Sequence, residues 1–183
     1  ATPVLNAVAK LITDAKRNEV SAITRADRGA PLPLSFAQQR LWFLAQMDGV
    51  SQAYHMPFGM TLSGELDRAA LRRALDRLVE RHESLRTTFA VLDGEPFQRI
   101  GAADSGLSLI EDEVLDGADV PAELMRWARA EAAAPFDLEH GPLIRGRLIT
   151  VDEREAVLLI TMHHIVSDGW SMGVFMRELS ALY

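Results

Sequence analysis

Two adjacent histidines, followed after three residues by an aspartate and a glycine, are the residues of this sequence most suited to chemistry. His163 and His164 end an apolar run, and Asp168 and Gly169 precede a second apolar pattern with helical spacing. A neutral imidazole can take a proton from an amine or a hydroxyl, or hydrogen-bond a charge that develops during acyl transfer. The glycine lets the backbone adopt a positive φ or approach a ligand closely. The cluster therefore indicates acid–base or acyl-transfer chemistry in a loop between a strand and a helix.

The geometry of an extended strand separates the two histidines, because neighbouring side chains point to opposite faces. We expect one of His163 and His164 to face the interior and the other to face a cleft. The same divergence argues against a metal centre built from both histidines and Asp168. A carboxylate at the position of Asp168 would need an arginine partner and backbone donors, which gives it a structural role. In an alternative interpretation, both histidines are hydrogen-bonded core residues and Asp168-Gly169 is only a turn.

Composition narrows the classes of protein to which the chain can belong. Its 183 residues suffice for one domain or one lobe of a larger domain, and 48% hydrophobic with 25% charged residues is typical of globular chains. The net charge of −7 disfavours nucleic acid as a partner. The absence of cysteine excludes disulfides, thiolate zinc sites and a cysteine nucleophile. No apolar run approaches the ~20 residues that span a bilayer, and no secretory signal opens the chain, so we expect a cytoplasmic location without a membrane partner.

The chain divides into an N-terminal segment, residues 1–31, and a domain proper, residues 32–183. Apolar residues from Val4 to Ala15 recur at helical spacing, which predicts a linker helix from an upstream carrier protein or a docking element. Residues Thr24 to Pro33 concentrate glycine, proline and charge, which is typical of a linker.

Within the domain, helices and strands are predicted in mixed order. Helices are expected from Ser35 to Gln46 with a Ser35–Gln38 capping box, from Asp67, from Pro121 to before Pro135, and from a Ser171 cap onward. Strands are expected at Tyr54–Leu62, Leu85–Leu92, Phe97–Ile100, Leu107–Glu111, Leu143–Val151 and Ala156–Met162, with Asp93-Gly94 as a hairpin turn. This order predicts an α/β fold, a two-layer sandwich with a mixed sheet.

Three separated blocks of the sequence resemble the condensation domains of nonribosomal peptide synthetases. They are Ser35–Leu44 (SFAQQRLWFL), Arg81–Phe89 (RHESLRTTF) and His163–Gly169 (HHIVSDG). The third block has the HHxxxDG pattern that the wider chloramphenicol-acetyltransferase-like superfamily shares. The three blocks stand in the order of the family, and the resemblance covers the chain from Pro31 to its end.

The resemblance implies one lobe of a two-lobed, chloramphenicol-acetyltransferase-like domain whose active site lies between the lobes. Carrier proteins would bring a donor thioester and an acceptor amine on phosphopantetheine arms, and the domain itself would bind no cofactor. His164 would be the catalytic residue, while His163, Asp168 and Gly169 would support the loop. Asp168 would pair with an arginine, for which Arg81 and Arg86 are the candidates.

The resemblance also carries expectations about subtype and extent. Heterocyclisation domains replace the histidines by aspartates, and the Ile165-Val166-Ser167 spacer looks most like domains that join an L-donor to an L-acceptor. The chain stops at Tyr183, so the C-terminal lobe is expected to be missing and the isolated lobe to fold without catalysing peptide-bond formation. Adjacent synthetase domains would be further partners. Two alternatives stay open: a free-standing acyltransferase of the same superfamily, and a non-catalytic lobe that binds carrier proteins.

Several other residues have less specific interpretations. Trp127 and Trp170 are predicted to be buried core residues, because large aromatic side chains mainly contribute buried area. Arg40, Trp42 and Phe43 either pack as an ordinary amphipathic helix or shape the cleft.

Overall fold

The computed structural model describes residues 24–47, 49–115 and 117–183. The helix predicted from Val4 to Ala15 lies outside the described residues, and so does most of the predicted N-terminal segment.

The described residues form seven β-strands and four α-helices in mixed order, as the sequence predicts. In chain order they are β1 (Leu32–Pro33), α1 (Phe36–Ala45), β2 (His55–Ser63), α2 (Arg68–Arg81), β3 (Thr87–Leu92), β4 (Glu95–Ile100), β5 (Ser108–Glu113), α3 (Val120–Ala133), β6 (Ile144–Thr150), β7 (Glu155–His163) and α4 (Gly169–Leu182). Short 3-10 turns precede β2, β3 and β5. None of the helices described is long and apolar enough to cross a membrane.

The larger sheet has four strands in the order β2-β7-β6-β5 and is mixed, which confirms the predicted sheet type. β7 pairs antiparallel with β2 and β6, whereas β5 and β6 are parallel and are connected through α3. β2 lies at an edge, where a strand tolerates Pro57 without losing a central ladder hydrogen bond. A Cβ atom added at Gly59 would lie 2.9 Å from the Leu159 side chain on β7, so the glycine permits close packing of this edge.

A second, antiparallel sheet has the order β1-β4-β3 and was not anticipated. β3 and β4 form the expected hairpin, in which Asp93 and Gly94 have positive φ angles of 52° and 85°. Leu32 and Pro33 end the predicted linker Thr24–Pro33 and also open the domain predicted from residue 32, and they form β1. Leu32 and Pro33 pair with Gln98 and Phe97, because this extended segment runs beside the free edge of β4.

Helix termini follow the predicted capping chemistry with one exception. Ser35 and Gln38 form the expected capping box of α1, and Asp67 caps α2. The prediction that Ser171 caps α4 is wrong. The cap is Asp168, three residues earlier, and the helix begins at Gly169. Ser171 forms the other half of this capping box, in which its hydroxyl accepts a hydrogen bond from the Asp168 backbone N–H.

The core has a large cluster between the sheet and helices α2 and α4, and a smaller one beneath the His163–Ser167 loop. The large cluster includes the apolar stripe of α2 and the inward residues of β6 and β7, among them Leu78, Leu158 and Ile160, each 0% exposed. The smaller cluster contains Phe89, Phe136 and Leu143 together with Ile165 and Val166 of the loop. The loop is therefore fixed from below by apolar packing.

Candidate active site

His163 is the last residue of β7, and its imidazole is completely buried. The Nδ1 atom accepts a hydrogen bond from the Ile165 backbone N–H at 3.1 Å, and Nε2 lies 3.5 Å from the Ser51 hydroxyl oxygen. A nitrogen that accepts from an amide cannot carry a proton, so the neutral tautomer has its proton on Nε2. His163 thereby closes the turn that leads to His164.

The surroundings of His163 keep the ring neutral. The Phe136 ring lies edge-on with its centroid 6.0 Å away, and the His55 ring lies at the same distance. Burial, together with the smaller effects of the neighbouring His55 and His164, lowers the pKa of His163 to about 4. The expectation that one histidine faces the interior is confirmed for His163.

His164 follows β7 and is exposed, on the opposite side of the chain from His163. Its backbone N–H donates to the Tyr54 carbonyl oxygen at 2.8 Å, which fastens the loop to the start of β2. Its Nδ1 atom lies 2.7 Å from the Ser167 carbonyl oxygen. A carbonyl only accepts, so Nδ1 carries a proton, and in the neutral ring the lone pair belongs to Nε2. The main chain therefore sets the tautomer of His164.

His164 lines an open groove of about 730 Å³ between the loop and α1. The groove is also lined by Ser35, Ala37, Gln38, Arg40, Leu41, Tyr54, Ile165, Val166, Ser167, Asp168 and Ser171. The first block of the sequence therefore shares a cavity with the third. Arg40 belongs to the groove, Trp42 packs against the smaller core cluster, and Phe43 is 65% exposed.

Asp168 is held by the first turn of α4. Its carboxylate accepts hydrogen bonds from the Ser171 hydroxyl at 2.6 Å and from the Ser171 backbone N–H at 2.8 Å. These two hydrogen bonds hold the pKa of Asp168 below its ordinary value. Gly169 opens the helix without a positive φ, so the conformational freedom predicted for it is not used, and no atom lies within 4 Å of an added Cβ.

The structure does not pair Asp168 with either of the expected arginines. Arg81 lies 3.4 Å from Glu178 on α4, which also binds His82 Nε2 at 2.6 Å. Arg86 is turned toward the β4 side, where it donates to the Gly101 carbonyl oxygen and lies 3.7 Å from Glu83. The expectation fails because both arginines contact acceptors on other elements, Glu178 on α4 and the Gly101 carbonyl oxygen directly after β4.

Trp170 is 82% exposed, so the prediction that it is a core residue is wrong, whereas Trp127 is buried as predicted. Trp170 lines a shallow apolar pocket of about 270 Å³ with Met162, Val174 and Phe175. Trp170 is the second residue of α4, where its side chain is largely open to solvent.

Sequence reasoning missed the groups that orient the two histidines. Tyr54 and Ser167 act through backbone carbonyls, which any residue type could supply, and Ser51 lies 112 positions from His163. His55 donates from Nδ1 to the Ala132 carbonyl and packs on Phe136, although its position near a strand start indicated nothing. Within the described ranges no three His, Asp or Glu side chains converge as a metal site would require.

Comparisons with known proteins agree on one family. The family model described as the condensation domain matches residues 30–183. Malpinin synthetase of Mortierella alpina is 47% identical over 186 residues, covering 100% of this chain and 2% of that protein. A probable non-canonical nonribosomal peptide synthetase of Salinispora arenicola is 40% identical over 167 residues, covering 91% of this chain and 2% of that protein. The chain thus spans a small fraction of these multidomain relatives.

The fold agrees with a solved structure as well. A double mutant of the starter condensation domain of the rhizomide synthetase, in complex with C8-CoA, superimposes with a TM-score of 0.77 at 25% identity. The match covers 85% of this chain and 36% of that chain.

Proposed function

Since the chain belongs to the condensation-domain family of nonribosomal peptide synthetases, we propose that His164 serves peptide-bond formation between substrates carried on two carrier proteins. The donor would be an aminoacyl or peptidyl thioester, and the acceptor would be the α-amine of a second aminoacyl thioester. The chain would bind no cofactor of its own, because both substrates arrive on phosphopantetheine arms. The Ile165-Val166-Ser167 spacer between His164 and Asp168 suits an L-configured donor and an L-configured acceptor.

The observation that carries this proposal is the fixed orientation of the His164 ring. The Ser167 carbonyl holds Nδ1–H, so Nε2 is the atom available to a substrate in the groove. The acceptor nitrogen would attack the thioester carbonyl carbon, the C–N bond would form and the C–S bond would break. The proton lost by the amine would pass to Nε2 and then to the departing sulfur.

Nε2 would serve this reaction in one of two ways. As a general base it would take the proton from the amine in the transition state. As a positioning group it would hold the amine close to the carbonyl by a hydrogen bond, since the thioester is already activated and orientation alone accelerates such reactions strongly.

Supporting roles are proposed for the neighbours of His164 in the motifs. His163 would hold the turn, Asp168 and Gly169 would begin α4, and Arg81 and Arg86 would brace the end of α2. Each of these roles is supported by contacts within the lobe: the His163–Ile165 bond, the Asp168–Ser171 box and the Arg81–Glu178 pair.

We further propose that residues 1–183 by themselves do not catalyse condensation. They match about a third of the length of a solved condensation-domain chain, and the groove at His164 is open on its outer side. A second lobe would close the groove, exclude water and position the donor phosphopantetheine arm next to His164. A preparation of these 183 residues that turned over loaded carrier proteins at the rate of a two-lobed protein would contradict this.

The proposal is tested by replacing His164 with alanine in a condensation protein that contains both lobes. With donor and acceptor carrier proteins loaded, we expect the first-order rate of dipeptidyl-thioester formation to fall at least about 10²-fold. His140→Ala is the matched control, because His140 is an exposed histidine that pairs with Asp137 outside the groove. Equal rates for His164→Ala and the wild type would overturn the proposal.

A second candidate function is acyl transfer from coenzyme A to an amine. The solved starter condensation domain in complex with C8-CoA favours it, because that domain superimposes on this chain. Offering the two-lobed protein acyl-CoA and carrier-bound thioesters in competition separates the two. Faster consumption of the carrier thioester supports peptide condensation, and faster consumption of acyl-CoA supports the second candidate.

A further inference from the structure

A buried arginine cluster lies against α3, on the face of β6 that points away from the main core. Ile144 and Leu148 of β6 face the large cluster, whereas Arg145 and Arg147 point to the opposite face. Both arginine side chains are only 16% exposed, and both bind Glu131 of α3, which is 5% exposed. Buried charges of this kind need complete pairing, because an unpaired partner is costly.

Arg145 satisfies its guanidinium with groups at the end of α3. Nε donates to the Glu131 carboxylate at 3.0 Å, and Nη2 donates to the carbonyl oxygens of Glu131 and Ala134 at 2.7 and 2.6 Å. Nη1 donates to the Pro135 carbonyl oxygen at 3.2 Å. Carbonyls at a helix C-terminus lack partners within the helix and favour a cation. Arg145 therefore fixes the exact path by which the chain leaves α3.

That path places Phe136, the residue directly after the clamped carbonyls. The Arg145 guanidinium carbon lies 4.0 Å from the centroid of the Phe136 ring, within the range of a cation–π contact. The opposite contacts of Phe136 are to imidazoles: its centroid is 4.9 Å from that of His55 and 6.0 Å from that of His163. Phe136 thus stands between a clamped helix end and the buried histidine of the motif.

The geometry points to Arg145 as a positioning residue that acts on His164 through Phe136 and His163. Arg145 holds Phe136, Phe136 covers His163, and the uncharged Nδ1 of His163 accepts the Ile165 N–H that shapes the turn before Ser167. The Ser167 carbonyl then orients the His164 ring. The part of this inference that concerns rate depends on the proposed function, whereas the part that concerns His163 does not.

Arg147 provides a matched control on the same strand. It donates from Nε to the same Glu131 carboxylate at 2.7 Å and also binds Asp112. Its described contacts lie with Glu131 and Asp112 rather than with Phe136. Arg145→Lys and Arg147→Lys therefore both keep the charge and weaken the buried ion pairs, but only Arg145→Lys loosens Phe136.

The first measurement is the titration of the His163 ring by NMR in the 183-residue chain with labelled histidine. We expect Arg145→Lys to raise the pKa of His163 by about one unit or more, because a looser Phe136 admits water to the ring. Arg147→Lys is expected to leave that pKa unchanged. An equal rise in both variants, or no rise in Arg145→Lys, would overturn the inference. Phe136→Leu keeps an apolar side chain without the ring, should give the same rise, and decides the question if Arg145→Lys does not fold.

The second measurement separates kcat from KM in a two-lobed protein. Arg145→Lys should lower kcat about tenfold or more with little change in KM, because a small misplacement of the reacting group affects the chemical step. Arg147→Lys should keep the wild-type kcat. If His164→Ala is inactive and Arg145→Lys has wild-type kcat, the positioning role is wrong while the proposed function stands. If His164→Ala is fully active, the proposed function is wrong. The effect of Arg145 on His163 is then tested by the titration of the His163 ring alone.

Discussion

At the scale of single residues, the two adjacent histidines of the motif differ in burial and in the hydrogen bond that each ring makes. His163 is buried, neutral and accepts from an amide, whereas His164 is exposed and has its tautomer set by a carbonyl. Both depend on main-chain groups within four residues. Protonation of His163 would place a second N–H opposite that of Ile165, so the turn requires the uncharged ring.

The depressed pKa of His163 predicts a pH-dependent loss of stability. Above pH 6.5 the ring is neutral in both the folded and the unfolded chain, and it has no effect. Between 6.5 and the folded pKa of about 4, the unfolded chain takes up the proton first, so the free energy of unfolding falls as pH falls. The loss amounts to something on the order of 3 kcal/mol and stops below the folded pKa.

His163→Asn is the variant that checks this loss. An asparagine Oδ1 can replace Nδ1 as the acceptor for the Ile165 N–H but does not titrate. Urea unfolding at several pH values should show a smaller decline for the variant than for the wild type between pH 6.5 and 4. Parallel stability curves for the two proteins would show that His163 is not responsible.

At the scale of elements, α4 begins at a capping box made by Asp168 of the third block and Ser171, two residues beyond that block. Asp168→Ala should lower the free energy of unfolding by about 1 kcal/mol, because the N–H of Ser171 loses its acceptor. Asp168→Asn should lie within about 0.5 kcal/mol of the wild type, since asparagine also caps helices well. Denaturant titrations of the three proteins give the comparison. A loss in Asp168→Asn as large as in Asp168→Ala would mean that the charge of Asp168, rather than its capping bond, stabilises the lobe.

Elements defined by local chemistry could be predicted from the sequence, and those defined by distant partners could not. The Ser35–Gln38 box, the Asp93-Gly94 turn and the β6–β7 hairpin follow from neighbouring residues. β1 depends on a free edge of β4, more than sixty positions away, so its pairing could not be predicted from neighbouring residues. The partner of Asp168 could not be predicted from the sequence, because Arg81 contacts Glu178 and Arg86 contacts the Gly101 carbonyl oxygen instead.

At the scale of the molecule, the lobe exposes apolar surface on α1. Phe36 and Phe43 of this helix are 91% and 65% exposed, Met47 just beyond its end is 50% exposed, and the helix contains no buried residue. Exposed apolar side chains of this size favour association, and the helix adjoins the groove that contains His164.

Replacing Phe36 and Phe43 together with glutamine should reduce self-association of the 183-residue chain in sedimentation experiments. The free energy of unfolding should change by less than about 0.5 kcal/mol, because neither ring is buried. Leu41→Gln is the control: Leu41 packs against the smaller core cluster, so this change should cost more than about 1 kcal/mol. Undiminished self-association of the double variant would show that another surface drives it.

The pairing of β2 with β7 alone has a consequence for synthesis on the ribosome. Among the described strands β2 pairs only with β7, and His55 of β2 emerges from the exit tunnel more than a hundred residues before its partner His163. Pairing over such a separation is slow, because the intervening loop must close first. Until then the amide protons of β2 exchange with solvent, and the Tyr54 carbonyl oxygen cannot accept its hydrogen bond from the His164 backbone N–H. The groove that contains His164 is thus among the last features of the nascent lobe to form.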